Sequence, residues 1–213
     1  MHKCRGLVKL NIQEAKGIPE RLVDLARKSG VFRSRDVEAH GITREHLRRL
    51  HRRGLVERIG RGLYTLPDAP VTENHSLVEA TKRVPHGVVC LLSALRFHGL
   101  TTQSPFEVWM AIDRNAYRPK DDSLPMRIVR FSGRAMSEGI KEHEIEGITV
   151  PIYCPAKTVA DCFKYRNKIG LDVALEALRE CWRERLCTME DLWRYAKICR
   201  VANVMRPYLE SLT

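Results

Sequence analysis

Two short helical patterns, joined by a glycine turn and followed directly by a basic hairpin pattern, restrict what this chain can fold into more than any other stretch. They occupy residues 34 to 66, SRDVEAHGITREHLRRLHRRG and then LVERIGRGLYTL. Ser34 can cap a short helix through Val37 and His40 by accepting a first-turn N–H, and Gly41 lets the chain reverse because it takes positive φ without steric cost. Thr43 can cap the next helix, in which Leu47 and Leu50 share the face to be buried. At about 100° per residue, Glu45, Arg48, Arg49 and Arg52 project from the opposite side. After Gly54 the period changes: Val56, Arg58, Leu63 and Thr65 alternate about Gly60-Arg61-Gly62, whose glycines suit a hairpin turn. A preceding helix from about Ile18 to Ser29 places Leu22, Val23, Leu25 and Ala26 to cover the Leu47/Leu50 face. Together these pieces are the sequence form of a winged helix-turn-helix of about 50 residues, small but able to fold alone.

Charge separates a DNA reader from a neutral scaffold. The chain has 213 residues and a formal net charge of +11. Residues 1 to 70 hold 16 Lys+Arg against 8 Asp+Glu, while residues 71 to 213 hold 21 against 18. Most of the excess therefore sits on the third of the chain that carries the helix-turn-helix pattern, as phosphate neutralisation requires. A solvated basic face is the plain alternative, but the charge coincides here with caps, turn, leucine seam and hairpin. Arg48, Arg49 and Arg52 are the candidate base or phosphate contacts, because arginine offers a fork to guanine O6/N7 or to phosphate. Glu45 is placed to read a cytosine amino group. Arg35, Arg44 and Arg61 are candidates for phosphate positioning, and Arg58 on the same hairpin completes the set. His46 and His51 read as flanking or packing residues.

The change of period and charge near Pro67 to Pro70 divides the chain into residues 1–70 and 71–213. No apolar run approaches the roughly 20 residues needed to cross a bilayer, and MHKCRGLVKL lacks the features of a secretory signal, so a cytosolic protein without a membrane partner is expected. Seven cysteines form an odd set with no C-x-x-C pair, which argues against a disulfide framework and against a zinc ribbon.

The second region opens with a helix from about Asn74 to Arg83. GVVCLLSALRFHGL then reads as a central buried helix stopped by Gly99. Ser93 and His98 lie about 140° apart on such a helix, so a satisfied core histidine is a better account than a catalytic pair. Three strand patterns follow, FEVWMAI (106–112), MRIVRF (126–131) and ITVPIY (148–153), with Pro151 marking the last as an edge or irregular strand. From Pro155 onward the pattern is helical, with Thr188 capping a helix that carries Glu190 and Asp191 in its first turn. In ADCFKYRNK, Asp161, Lys164 and Lys168 share a helix side with Tyr165 nearby and could bind a phosphate, another protein or merely each other; an intrahelical ion pair is the plain reading, and the preferred one is a mixed role in which Asp161 holds a domain-internal arginine or a helix end and the basic residues are exposed. The expected fold class is α+β: a winged helix-turn-helix, then a mixed α/β domain whose small, mainly antiparallel sheet is packed by helices.

With RGLYTL, LSALRFHGLT and PAKTVADCFKYRNKIGLDVALEAL all in view, the sequence resembles the AbiEi family of antitoxins from bacterial type IV toxin-antitoxin systems. The resemblance runs from about Ile18 to Leu212 and is most specific from Lys157 through Gly170. It implies a functional partner that is a nucleotidyltransferase-like toxin, met directly or indirectly, an N-terminal domain that represses its own operon at inverted repeats of double-stranded DNA, and a C-terminal domain that supports antitoxin activity. It implies no cofactor and no catalysis. The residues agree: there is no E-x-K metal motif, no Gly-Ser loop with paired aspartates and no P-loop, and His143 in KEHEIEG lacks a second histidine at ligand spacing. The alternative is a stand-alone winged-helix regulator whose C-terminal domain senses a ligand or dimerises.

Overall fold

The computed structural model describes residues 22, 24–26, 30–60, 62–67, 72–118 and 124–212. The chain forms two compact units, Met1–Thr72 and Glu73–Thr213.

In the first unit, strand β1 (Val31–Arg33) leads straight into helix α1 (Ser34–Ala39), and helix α2 (Arg44–Arg52) is followed by strands β2 (Glu57–Gly60) and β3 (Leu63–Thr65). The three strands form an antiparallel sheet in the order β1-β3-β2. Leu22, Ala26, Phe32, Val37, Ile42, Leu47, Leu50, Val56, Tyr64 and Leu66 bury one another in a single core, with Leu25 packed against it. Val23 and both ends of the expected 18–29 helix lie outside the described residues. The start of α1 differs in detail from expectation. Arg33 is the capping position and its N–H donates to the Asp36 carboxylate at 2.9 Å, while Ser34 is already helical and its N–H donates to the carbonyl of Gly62 at 3.2 Å. That last bond ties the hairpin to the first helix. β1 itself, three residues long, is too short for an alternating pattern to register.

The second unit is a five-stranded sheet in the order β6-β5-β4-β8-β7 with helices packed on it. Its elements run α3 (His75–Arg83), β4 (Val88–Val89), α4 (Leu91–Phe97), β5 (Val108–Asp113), β6 (Met126–Phe131), α5 (Arg134–Ser137), β7 (Ile140–Ile145), β8 (Ile148–Tyr153), α6 (Pro155–Lys164), α7 (Arg166–Ile169), α8 (Leu171–Arg183), α9 (Met189–Ile198) and α10 (Ala202–Glu210). Alternate residues of β5 serve opposite faces: Trp109 and Ala111 join the core made with α4, α6, α8, α9 and α10, while Met110 and Ile112 are buried on the other side, where α3 packs. A strand covered on both faces reads as a continuous apolar run, as VWMAI does.

Three expectations are corrected here. The sheet is mixed, not mainly antiparallel: β5/β6 and β4/β8 are parallel, while β4/β5 and β7/β8 are antiparallel. Parallel pairing of β5 and β6 is permitted by the dozen residues between Asp113 and Met126, enough chain to cross back over the sheet. Strand β8 is interior rather than an edge. Pro151 is tolerated because β4 is two residues long and meets β8 only at Ile152, so little ladder is lost on that side. GVVCLLSALRFHGL begins as β4, not as a helix; Leu91, at φ 46°, turns the chain into α4, and the most thoroughly buried helix is α6, in which every residue from Ala156 to Phe163 is buried.

Candidate nucleic-acid interface

Helix α2 is built to show one face. Thr43 accepts the N–H of His46 at 3.2 Å, which satisfies a first-turn donor, and Leu47 and Leu50 are 1% exposed. His51 is anchored behind, its Nδ1 bonded to the Val56 carbonyl at 3.0 Å and its ring edge-on to Tyr64. With the leucines fixed inward, the helical turn of about 100° per residue spreads Arg44, Arg48, Arg52, Glu45, Arg49 and Arg53 in that angular order across the opposite half of the cylinder. The side chains of Arg44, Arg48 and Arg52 are 72%, 74% and 69% exposed, and Arg49 and Arg53 are exposed as well.

The stripe is organised around one carboxylate. Glu45 holds Arg52 at 3.1 Å and approaches Arg48 at 4.0 Å, so these three candidates are brought together. Arg44 is held by Glu38 of α1 at 2.5 Å, and Arg35, also exposed on α1, lies 3.8 Å from Asp36. Arg49 and Arg53 have no ion-pair partner among the described residues. Such exposed pairs contribute little to stability and exchange readily for a phosphate.

Arg58 stands exposed on β2 and donates to the carbonyl of Gly60 at 3.0 Å, across the register shift between Arg58 and Gly60. No described bond links Arg35 or Arg58 to α2. Arg61 lies outside the described residues. Arg53 was not among the sequence candidates; its signal is its place four residues beyond Arg49, one turn further along the same face.

The second unit accounts for its own suspected catalytic residues. The Ser93 hydroxyl accepts the backbone N–H of Trp109 at 2.9 Å, and His98 Nε2 donates to the Tyr153 carbonyl at 2.8 Å. Burial holds the His98 imidazole below its usual pKa, the bond to Tyr153 opposes that, and nearby His143 lowers it further. His143 sits in the β7–β8 hairpin, as a polar hairpin reading of KEHEIEG requires, with Glu146 and Gly147 both at positive φ in the turn. Asp161 holds Lys157 at 2.6 Å, both nearly inaccessible, instead of an arginine. No cluster of three or more metal-ligating side chains occurs among the described residues, and no described helix is long and apolar enough to cross a membrane.

Residues 20–67 match a family described as transcriptional regulator, AbiEi antitoxin, so the resemblance read from the sequence holds over the segment that contains α1, α2 and the hairpin. The stretch from Lys157 to Gly170 lies outside the matched segment. No curated protein matches the chain. Among solved structures, the RV2827C protein from Mycobacterium tuberculosis has a similar fold, with a TM-score of 0.60 over 87% of this chain and 71% of that one, at 15% sequence identity.

Proposed function

We propose that this protein is a DNA-binding antitoxin that represses its own operon and counteracts a nucleotidyltransferase-like toxin, with its first unit acting as a winged helix-turn-helix. In this reading α2 is the recognition helix and the β2–β3 hairpin is the wing. The arginine stripe of α2, exposed opposite a fully buried leucine pair, is the observation that carries it. A helix of this width fits a major groove, and arginine forks match guanine edges and phosphates. Arg48, Arg49 and Arg52 read or clamp, Glu45 orients them and can accept from a cytosine amino group, and Arg35, Arg44, Arg58 and Arg61 position the backbone. The family description over residues 20–67 supports both the regulatory and the antitoxin parts. Repression needs only occupancy of the operator, so the reading requires no catalytic group and no cofactor.

Fluorescence anisotropy with a labelled duplex from the chain's own promoter tests it. Arg49→Ala is expected to weaken operator binding by about 1–3 kcal/mol, roughly five- to 150-fold, if Arg49 reads a base. Unchanged affinity in Arg49→Ala and in Arg52→Ala would remove the assignment. Co-expression with the adjoining toxin gene tests the antitoxin half: growth restored by the chain supports it, and growth arrest with both proteins present overturns it.

A further inference from the structure

Away from α2, several cations line a cleft of about 490 Å³ in the second unit. Arg134 comes from the start of α5, Lys164 from the end of α6, and Lys197 and Arg200 from the end of α9 and just beyond it, while the Arg130 side chain, level with Ile112 in the sheet, leaves on the face opposite Phe131. Among the described ion pairs only Arg134 has a carboxylate, that of Glu138. Arg130 donates on its own side of the sheet to backbone carbonyls, including that of Ala116 at 3.0 Å, and takes no part in the cleft. The single carboxylate lining the cleft is Asp161, and it is already matched by Lys157 at 2.6 Å and receives the Cys199 thiol at 3.2 Å. Lys164, Lys197 and Arg200 therefore meet one acid that is already paired, and Arg134 carries its own in Glu138. Such convergence is unfavourable in the empty molecule and is relieved by an anion.

Two further observations narrow the ligand. Arg200 has φ 58°, and its N–H and that of Val201 close the end of α9 on the carbonyls of Lys197 and Ala196. Glycine is the ordinary residue at such a left-handed helix end, so a long cationic side chain is held at the rim in a strained conformation. Tyr165, half-buried against Phe131 with ring centroids 5.8 Å apart, forms an aromatic wall beside the cations. The volume falls within the roughly 300–1,000 Å³ of small-molecule sites.

We infer that this cleft binds a small nucleotide, its di- or triphosphate held by Lys164, Lys197 and Arg200 and its base against Tyr165. Arginine and lysine supply the charge-assisted bonds, and the tyrosine face takes any base by stacking. The site is separate from the DNA reading of α2 and stands or falls independently of it.

The test is isothermal titration calorimetry on the full-length protein with inorganic pyrophosphate, ATP and adenosine. ATP and pyrophosphate are expected to bind with Kd below about 1 mM at 0.1 M salt, and adenosine more weakly than either. Lys164→Gln and Arg200→Gly are each expected to weaken ATP binding about tenfold or more. Arg200→Gly relieves the left-handed strain, so it is also expected to melt no lower than the parent and to keep its operator affinity. The inference is overturned if neither ATP nor pyrophosphate binds, if both variants bind ATP like the parent, or if pyrophosphate is silent while an unrelated duplex binds and loses affinity in Arg200→Gly. That last outcome would make the cleft a nucleic-acid surface.

Discussion

Lys157 has no exposed side-chain surface, and its ammonium lies over the rings of Tyr153 at 4.1 Å and Phe131 at 4.8 Å while bonded to Asp161. Two charges taken this far from water are tolerable only together. Burial pushes the Asp161 carboxyl above its usual range, and Lys157 and then the Cys199 thiol pull it back. Lys157→Met removes that counterweight and is expected to cost about 3–5 kcal/mol in chemical denaturation at neutral pH. A carboxyl whose folded pKa is raised gives stability that is present below its unfolded pKa and lost as pH rises through the folded one. The deficit of Lys157→Met should therefore shrink in acid, and the Lys157→Met, Asp161→Leu double variant should lose less than the single variants summed. His98 has the opposite sign. Its folded pKa is depressed, so its contribution is complete above the ordinary histidine value of about 6.5 and fades as pH falls through the folded one. Thermal melts between pH 7 and pH 5 should drop less steeply for His98→Gln than for the parent; parallel curves would exclude His98 as a source of the slope.

Helix α2 depends on its ends and on one acid. Thr43→Ala removes the bond to His46 N–H and is expected to cost about 1 kcal/mol, weakening operator binding by loosening the helix rather than by touching DNA. Glu45→Ala frees Arg48 and Arg52, so non-specific DNA affinity should rise and its dependence on salt should steepen. Much of this element was legible in the sequence, because a period of 3.6 with leucines on one side and arginines on the other survives any tertiary context. The hairpin was legible for the same reason, its glycines and alternation being local. What escaped was non-local. Whether β6 lies parallel to β5 depends on where the intervening chain crosses, and nothing in MRIVRF encodes that. Lys157 stands four residues before Asp161, an ordinary helical pairing distance, but no pattern reveals that two aromatic rings will close over a lysine. Nor does any motif announce the basic cleft, whose cations come from three separated segments.

The two units have separate hydrophobic cores, and all three tryptophans, Trp109, Trp182 and Trp193, belong to the second. Tryptophan fluorescence thus reports the second unit alone, whereas far-UV circular dichroism reports both. Urea unfolding followed by the two signals is expected to give midpoints that do not coincide; superimposable curves would mean that the units unfold as one. Within the second unit, the sheet is continuous only through β4. Val88 and Val89 pair with Ala111 and Met110 on one side, and Val89 alone pairs with Ile152 on the other. The β5–β6 and β7–β8 ribbons are therefore two plates fastened by a single rivet. Replacing Val89 by proline, which deletes an amide at that rivet, should let the plates part while each keeps its own internal ladder, and amide exchange would show the loss as a line of new exposure down the middle of the sheet.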